Sequence, residues 1–319
     1  MSILGVLLAL VGVAVLVATV RQVGWSEIRA GLSAIGLWFV AVVVLGGVRF
    51  LVRALAWTRC ARQVGATLSV GQAFAAGIAA DAVGNLTPLG LLASEPTKVL
   101  LVRRTMPTGP ALASVALDNA FYTGSVVVML AAGAWMLVRQ TALQPSLRLA
   151  AEIVLVGVLI GAIIALWAAR RRPAVLSWAA QRAAWLLGRA ARSPAVLQDI
   201  ESRFYGVVGW PGAALATVAG WQALFHVAAV AEVWLVLSVL SGGQTSLIDA
   251  FILETTGRLV TVLFKVVPFR VGVDEAGAAV VAAAIGVPVS NAVALALVRK
   301  LRILVWNGAG LAVLARARR

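Results

Sequence analysis

Four cations stand where an apolar sequence should not hold them: Lys265, Arg270, Arg299 and Arg302. Lys265 and Arg270 flank Pro268, while Arg299 and Arg302 are spaced about one helical turn apart and share a face. Cations inside a membrane span are expensive and normally face a cavity or an opposite charge. This set is therefore suited to holding an anionic group. Asn85 and Thr87, beside a second break at Pro88, add neutral hydrogen-bonding groups to the same candidate site. Four carboxylates, Glu95, Glu275, Asp81 and Asp118, are the candidates for gating or proton coupling. Blander roles stand beside these. Glu95 and Glu275 are expected in the first turn of a half-helix, where a carboxylate favours the positive helix end without any function. The cations can pair with Asp81, Asp118, Glu232 or Glu254, or snorkel. Glu254 and Arg258 have the i,i+4 spacing of a structural pair. Asn85, Thr87 and Ser94 can satisfy backbone groups freed at the break.

Catalytic chemistry has no foothold. The chain lacks a paired-Asp motif, an HExxH and a nucleophile elbow, so no catalytic residue is assigned and no enzyme activity is expected. The single Cys60 and single His226 exclude an intrachain disulfide and a Cys- or His-rich metal centre. No metal and no cofactor is expected. His226, in an apolar stretch, reads as a buried, hydrogen-bonded side chain.

The elements that must position these residues are membrane helices. Of the 319 residues, 62% are hydrophobic and 12% charged, where a soluble domain carries about 25% charged. The apolar residues come in long runs rather than in alternation, which argues against a β-barrel. The fold class is all-α: a polytopic membrane protein forming a single transmembrane domain. The net charge of +15 reads as cytoplasmic loops against anionic lipid, and no nucleic-acid module is present.

Spans are expected at residues 3–20, 37–57, 111–138, 149–169, 213–240 and 289–314, the first of them uncleaved. Arg49, Arg53, Arg59 and Arg62 cluster toward the end of the second span and place that end in the cytoplasm by the positive-inside rule. Residues 170–207, with Arg170, Arg171, Arg172, Arg182, Arg189, Arg192 and Arg203, form the strongest basic cluster. With Leu176, Trp178, Trp185 and Leu186 they read as a cytoplasmic amphipathic segment on the inner leaflet. Residues 81–104 and 246–286 are broken elements. In the first, Pro88 and Pro96 interrupt the helix; polar, broken backbone belongs at membrane depth only against protein or a cavity. Six full spans and two re-entrant hairpins put both termini in the cytoplasm.

A shift of 180 positions superposes Gly77 on Gly257, Pro88 on Pro268 and Glu95 on Glu275. Each copy shows a proline, a short loop, an N-cap residue (Ser94, Asp274) and a glutamate. Each is preceded by a capping pattern that runs into Ala-Phe, from Ser69 and from Ser246. Ungapped identity over this region is at chance, so the argument rests on the order of uncommon features. With the hairpins entering from opposite sides, residues 69–139 and 246–316 are expected to be the two halves of an inverted repeat, a common transporter plan.

Arg53 with Trp57, then GNLTPLGLLASEPTKVLL at 84–101 and PFRVGVDEAGAAVVAAAIGVPVSNAVALALVRKLR at 268–302, resemble the lysylphosphatidylglycerol synthase transmembrane, flippase-like family of bacterial integral membrane proteins. The second motif is a P-x-x-x-G-x-x-E block, a small-residue helix, a glycine and a late arginine: here Pro268, Gly272, Glu275, Gly286 and Arg299. The chain departs from the family at Ala93 and Ser94, where a second glycine is common, and at Asp118-Asn119, where an acidic-Arg pair is common. The resemblance implies handling of polar lipids across the bacterial cytoplasmic membrane. The family's best-known members continue into a cytoplasmic synthase domain; this chain stops at Arg319, so translocation of an anionic or zwitterionic lipid is expected rather than synthesis. The expected partners are membrane lipids, with anionic lipid at the cytoplasmic surface. A homo-oligomer or a lipid-synthesis partner is also open, as are a membrane-embedded transferase and a small-anion channel.

Overall fold

A backbone in hydrocarbon must satisfy its own hydrogen bonds, and every described element is a helix. The structure, a computed structural model, describes residues 21, 25–87, 90–103, 105–139, 144–173, 178, 182, 194–264, 270 and 272–317. The helices are α1 Trp25–Ile35, α2 Trp38–Gln63, α3 Val70–Leu86, α4 Gly90–Val102, α5 Thr108–Val138, α6 Pro145–Arg171, α7 Pro194–Tyr205, α8 Gly212–Leu240, α9 Leu247–Leu263, α10 Val273–Ile285 and α11 Val289–Ala317. A short 3-10 turn, Gly206–Gly209, follows α7.

Among the described residues, four helices are both long and apolar enough to cross a membrane: α2, α5, α6 as far as Ala168, and α8. The chain is an integral, polytopic, all-α membrane protein. The expected span at 3–20 lies outside the described residues. Helix α11 is 29 residues long but carries Arg299, Lys300 and Arg302 within its length, so composition alone does not mark it as a span. Helix α6 is the most lipid-like, since only 6% of its apolar window is buried, and Leu149, Ile153, Val156 and Ile160 are exposed along it.

Two groups of four helices share one pattern. In the first, long α2 leads into the hairpin α3–α4 and then long α5; in the second, α8 leads into α9–α10 and then α11. Both hairpins pair a helix of 17 residues with one of 13. Both begin on a serine cap: the Ser69 hydroxyl accepts from Gln72 N–H and the Ser246 hydroxyl from Asp249 N–H. The packing is crosswise, with α3 on α11 and α9 on α5, while α2 lies on α8. Helices α2 and α8 run antiparallel. Val42, early in α2, shares a core with Val233 and Leu237, late in α8. Ala61, late in α2, shares the other core with Val218, early in α8.

Small residues allow the close crossings. At Gly310 of α11, an added Cβ would lie 2.3 Å from the Ile78 carbonyl oxygen of α3; at Gly133 of α5, it would lie 2.3 Å from Thr255 Oγ1 of α9. These are the two crosswise contacts, and each rests on a glycine.

The local structure corrects the reading of the first break. Helix α4 starts at Gly90, so Ser94 is interior and not its cap, Glu95 falls in the second turn, and Pro96 lies inside the helix. Proline is tolerated in membrane helices packed against protein, and α4 packs closely on α3. Pro88 itself lies outside the described residues. In the second copy the cap is Gly272, at φ +80°, and not Asp274. Glu275 stands in the first turn as expected, where its Oε2 accepts from Gly272 N–H at 2.9 Å. In the basic segment, α7 is described, and Arg182 stacks on exposed Trp178 at 5.9 Å; Leu176, Trp185, Leu186, Arg189 and Arg192 lie outside the described residues.

Candidate functional site

Glu232 in α8 and Glu254 in α9 are fully buried, 0% and 1% exposed. A buried carboxylate of this kind has to be paired, and both are. Glu232 receives Arg49 Nη1 of α2 at 3.1 Å, Arg299 Nε of α11 at 3.4 Å, and Arg302 Nη1 of α11. Glu254 receives Arg258 Nη2, one turn along its own helix, at 2.5 Å, and Arg299 Nη2. Arg299 thus joins the two glutamates, as its helical spacing from Arg302 allows. Four guanidiniums against two carboxylates leave two positive charges in excess at this centre.

Aromatic rings spread that charge. Arg49 and Arg258 lie over the Phe225 ring, 4.7 and 5.4 Å from its centroid, and Arg258 Nη1 donates to the Tyr122 hydroxyl at 3.2 Å. Arg53 sits 4.1 Å over the Tyr122 ring and pairs with Asp118 at 2.7 Å. Gln222 Nε2 donates to the other Asp118 oxygen at 3.5 Å. One turn beyond Arg53, Trp57 Nε1 donates to Ser114 Oγ. Ser125 donates its single proton to Tyr122 O, so His226 Nε2–H is the donor in the 2.9 Å contact with Ser125 Oγ. His226 is a buried, hydrogen-bonded side chain packed among the rings, as expected.

The remaining candidates fall in two other places. At the first break, Asn85 Nδ2 donates to Asp81 Oδ2 at 2.9 Å and to Asn307 Oδ1 of α11 at 3.1 Å, and Thr87 Oγ1 donates to Val83 O of its own helix. Glu95 pairs with Lys98 at 3.1 Å. At the second break, Arg270 pairs with Asp274, and Lys300 reaches Asp274 at 3.2 Å and Glu275 at 2.9 Å. Arg270 has φ +48°, a left-handed conformation rare for a non-glycine residue, and Lys300 Nζ donates to its carbonyl. Lys265 lies outside the described residues. Of the cations singled out in the sequence, Arg299 and Arg302 meet at one centre, and Arg270 stands apart from them with its own partners.

Arg49 and Arg53 correct the sequence reading most. Both turn into the bundle, where Glu232 and Asp118 are buried beside them. Their i,i+4 spacing within a long apolar run was the available signal. Glu232 and Glu254 were visible only as partners, and Lys300 was not singled out at all.

A helical bundle of long apolar helices and paired hairpins around a cation-rich centre is the architecture of a polytopic membrane protein. More narrowly, the chain belongs to the family described as lysylphosphatidylglycerol synthase TM region, whose profile matches residues 2–308. Membership makes it a membrane protein of a family linked to lipid handling. Comparison with curated proteins and with solved structures gives no match.

Proposed function

We propose that this protein is a flippase-like transporter that moves a polar lipid, with an anionic or zwitterionic head group, across the bacterial cytoplasmic membrane. The observation that carries this reading is the excess of two buried positive charges where Arg49, Arg258, Arg299 and Arg302 meet Glu232 and Glu254. A structural network has no need of the surplus, whereas a phosphate drawn from the lipid surface would neutralise it and accept from guanidinium donors. Arg49 Nε and Arg258 Nε are buried donors with no partner, the groups such an anion would satisfy. The acyl chains would stay in the bilayer.

The matched lengths of the two hairpins, their crosswise packing and the antiparallel α2 and α8 support residues 69–139 and 246–316 as inverted repeats. In this reading one repeat rocks against the other and opens the centre to each leaflet in turn, with both termini cytoplasmic. Reconstitution into vesicles tests it. The expected result is redistribution between leaflets of a reporter lipid from a panel that includes phosphatidylglycerol, its aminoacyl derivatives and undecaprenyl phosphate. No redistribution of any of them would overturn the reading. Turnover of a lipid donor, or ion conductance in a planar bilayer, would replace it with a transferase or a channel.

A further inference from the structure

We infer that Asp81 is a proton-binding site, and that its proton controls how strongly the first hairpin competes for Arg302. Its consequence for transport rests on the reading above; the site itself rests on the charge pairing around it. Of the carboxylates among the described residues of the bundle interior, Glu201 on α7 set aside, Glu95 holds Lys98, Asp118 holds Arg53, and Asp274 and Glu275 hold Lys300. Glu232 and Glu254 hold the four arginines. Asp81 alone of this group has no cation; its one hydrogen bond is from the Asn85 amide.

Its neighbours cannot neutralise it as they stand. The cations that act on it electrostatically are Arg270, Arg302 and Lys98, and these are held by Asp274, Glu232 and Glu95. On the other elements packed against α3, Arg49 and Arg53 of α2 are held by Glu232 and Asp118. Arg299 and Lys300 of α11 are held by Glu232 and Glu254, and by Asp274 and Glu275. An unpaired carboxylate away from water is stabilised by taking a proton.

The site is wired to α11. Asn85 Nδ2 is shared between Asp81 and Asn307, and Asn307, 4% exposed, keeps a buried Nδ2 with no partner. Loss of the proton leaves a carboxylate that attracts Arg302 away from Glu232; gain of the proton removes that competition. The protonation state of Asp81 would thus reach the head-group centre as a change in charge pairing, with Arg302 as the moving part.

Difference infrared spectroscopy of the full chain in nanodiscs tests this without requiring transport. A protonated-carboxyl band that titrates with pH should be present in the wild type and in Asp118→Asn, and absent in Asp81→Asn. In vesicles with an imposed proton gradient, the wild-type flux of whichever lipid is carried should change with the gradient, and the Asp81→Asn flux should not. A band retained in Asp81→Asn, or a gradient response retained in it, would overturn the inference. Absence of wild-type lipid flux with the band still assigned to Asp81 would instead overturn the transport reading and leave the proton site standing. Asp81→Asn preserves shape and the Asn85 contact, and an unchanged melting profile would confirm that the variant is folded.

Discussion

Arg49 and Arg302 donate to the same oxygen, Oε2 of Glu232, from helices at opposite ends of the chain. Two like charges are held together by one carboxylate because Arg299 occupies its second oxygen. Replacing Glu232 by glutamine keeps the shape and removes the charge, which leaves three guanidiniums facing an amide. Breaking a buried pair by removing one partner costs about 3–5 kcal/mol. The Glu232→Gln variant should show a clearly lowered thermal midpoint in detergent, read by tryptophan fluorescence, or fail to accumulate. A wild-type midpoint would mean that the arginines are not held by this carboxylate.

Arg302→Ala should behave differently. Glu232 keeps Arg49 and Arg299, so its charge stays paired, while the surplus of positive charge falls by one. The fold should survive with a loss of about 1–2 kcal/mol, within the common range for single substitutions. Binding of a phosphate-bearing lipid, followed by native mass spectrometry, should fall about tenfold for each 1.4 kcal/mol of head-group interaction lost. Equal lipid retention in wild type and variant would remove Arg302 from the head-group site.

Arg53 is a test of geometry rather than charge. It pairs with Asp118 and sits over the Tyr122 ring at once, which the guanidinium fork allows and a compact ammonium does poorly. Arg53→Lys should therefore lose about 0.5–2 kcal/mol, the ring contact being a desolvated one. Arg53→Ala should lose more, because Asp118, 2% exposed, would keep only Gln222. The order wild type, lysine, alanine in thermal midpoint is the expected outcome, and equivalence of lysine with arginine would count against the stacking.

Hydrophobic run length and positive charge were enough to read the helical membrane class, the positions of α2, α5, α6 and α8, and the existence of two breaks. They fell short where long-range pairing decides the outcome. Arg49 looks like a membrane-end residue until Glu232, far along the chain, is known to lie beside it. Helix α4 begins four residues before Ser94 and runs through Pro96 while packed closely on α3, which propensity alone argues against. The pairing of Lys300 with Glu275 depends on α10 lying against α11, a tertiary fact with no local signature. Arg299 and Arg302 were legible because their own spacing put them on one face.

The two serine caps give a matched comparison between the hairpins. Ser69 and Ser246 each accept from the backbone N–H three residues on, and Ser69 N–H also donates back to the Gln72 side chain. Replacing an N-cap serine with alanine costs about 0.5–2 kcal/mol. Ser69→Ala and Ser246→Ala should each lower the midpoint modestly and by similar amounts. A severe loss at one serine and none at the other would show that the hairpins are not equivalent in stability.

The crossing of α3 and α11 at Gly310 supplies the most severe steric test, and it bears on function because Asn85, Asn307 and Arg302 all depend on that contact. A Cβ at Gly310 would lie 2.3 Å from the Ile78 carbonyl oxygen and 2.8 Å from Ala82 Cβ. The first is backbone and cannot swing aside, so Gly310→Ala must push the helices apart. Overpacking of this kind costs about 1–3 kcal/mol, and it should also separate Asn85 from Asn307. At Gly71, on the same helix α3, an added Cβ meets nothing within 4 Å. Gly71→Ala should be neutral or slightly stabilising, since alanine is the better helix former by up to about 1 kcal/mol. Thermal midpoints of the two variants, measured side by side, should move in opposite directions or differ by the full overpacking cost. Equal midpoints would mean that α3 and α11 do not cross at Gly310, and the link from Asp81 to α11 would lose its support.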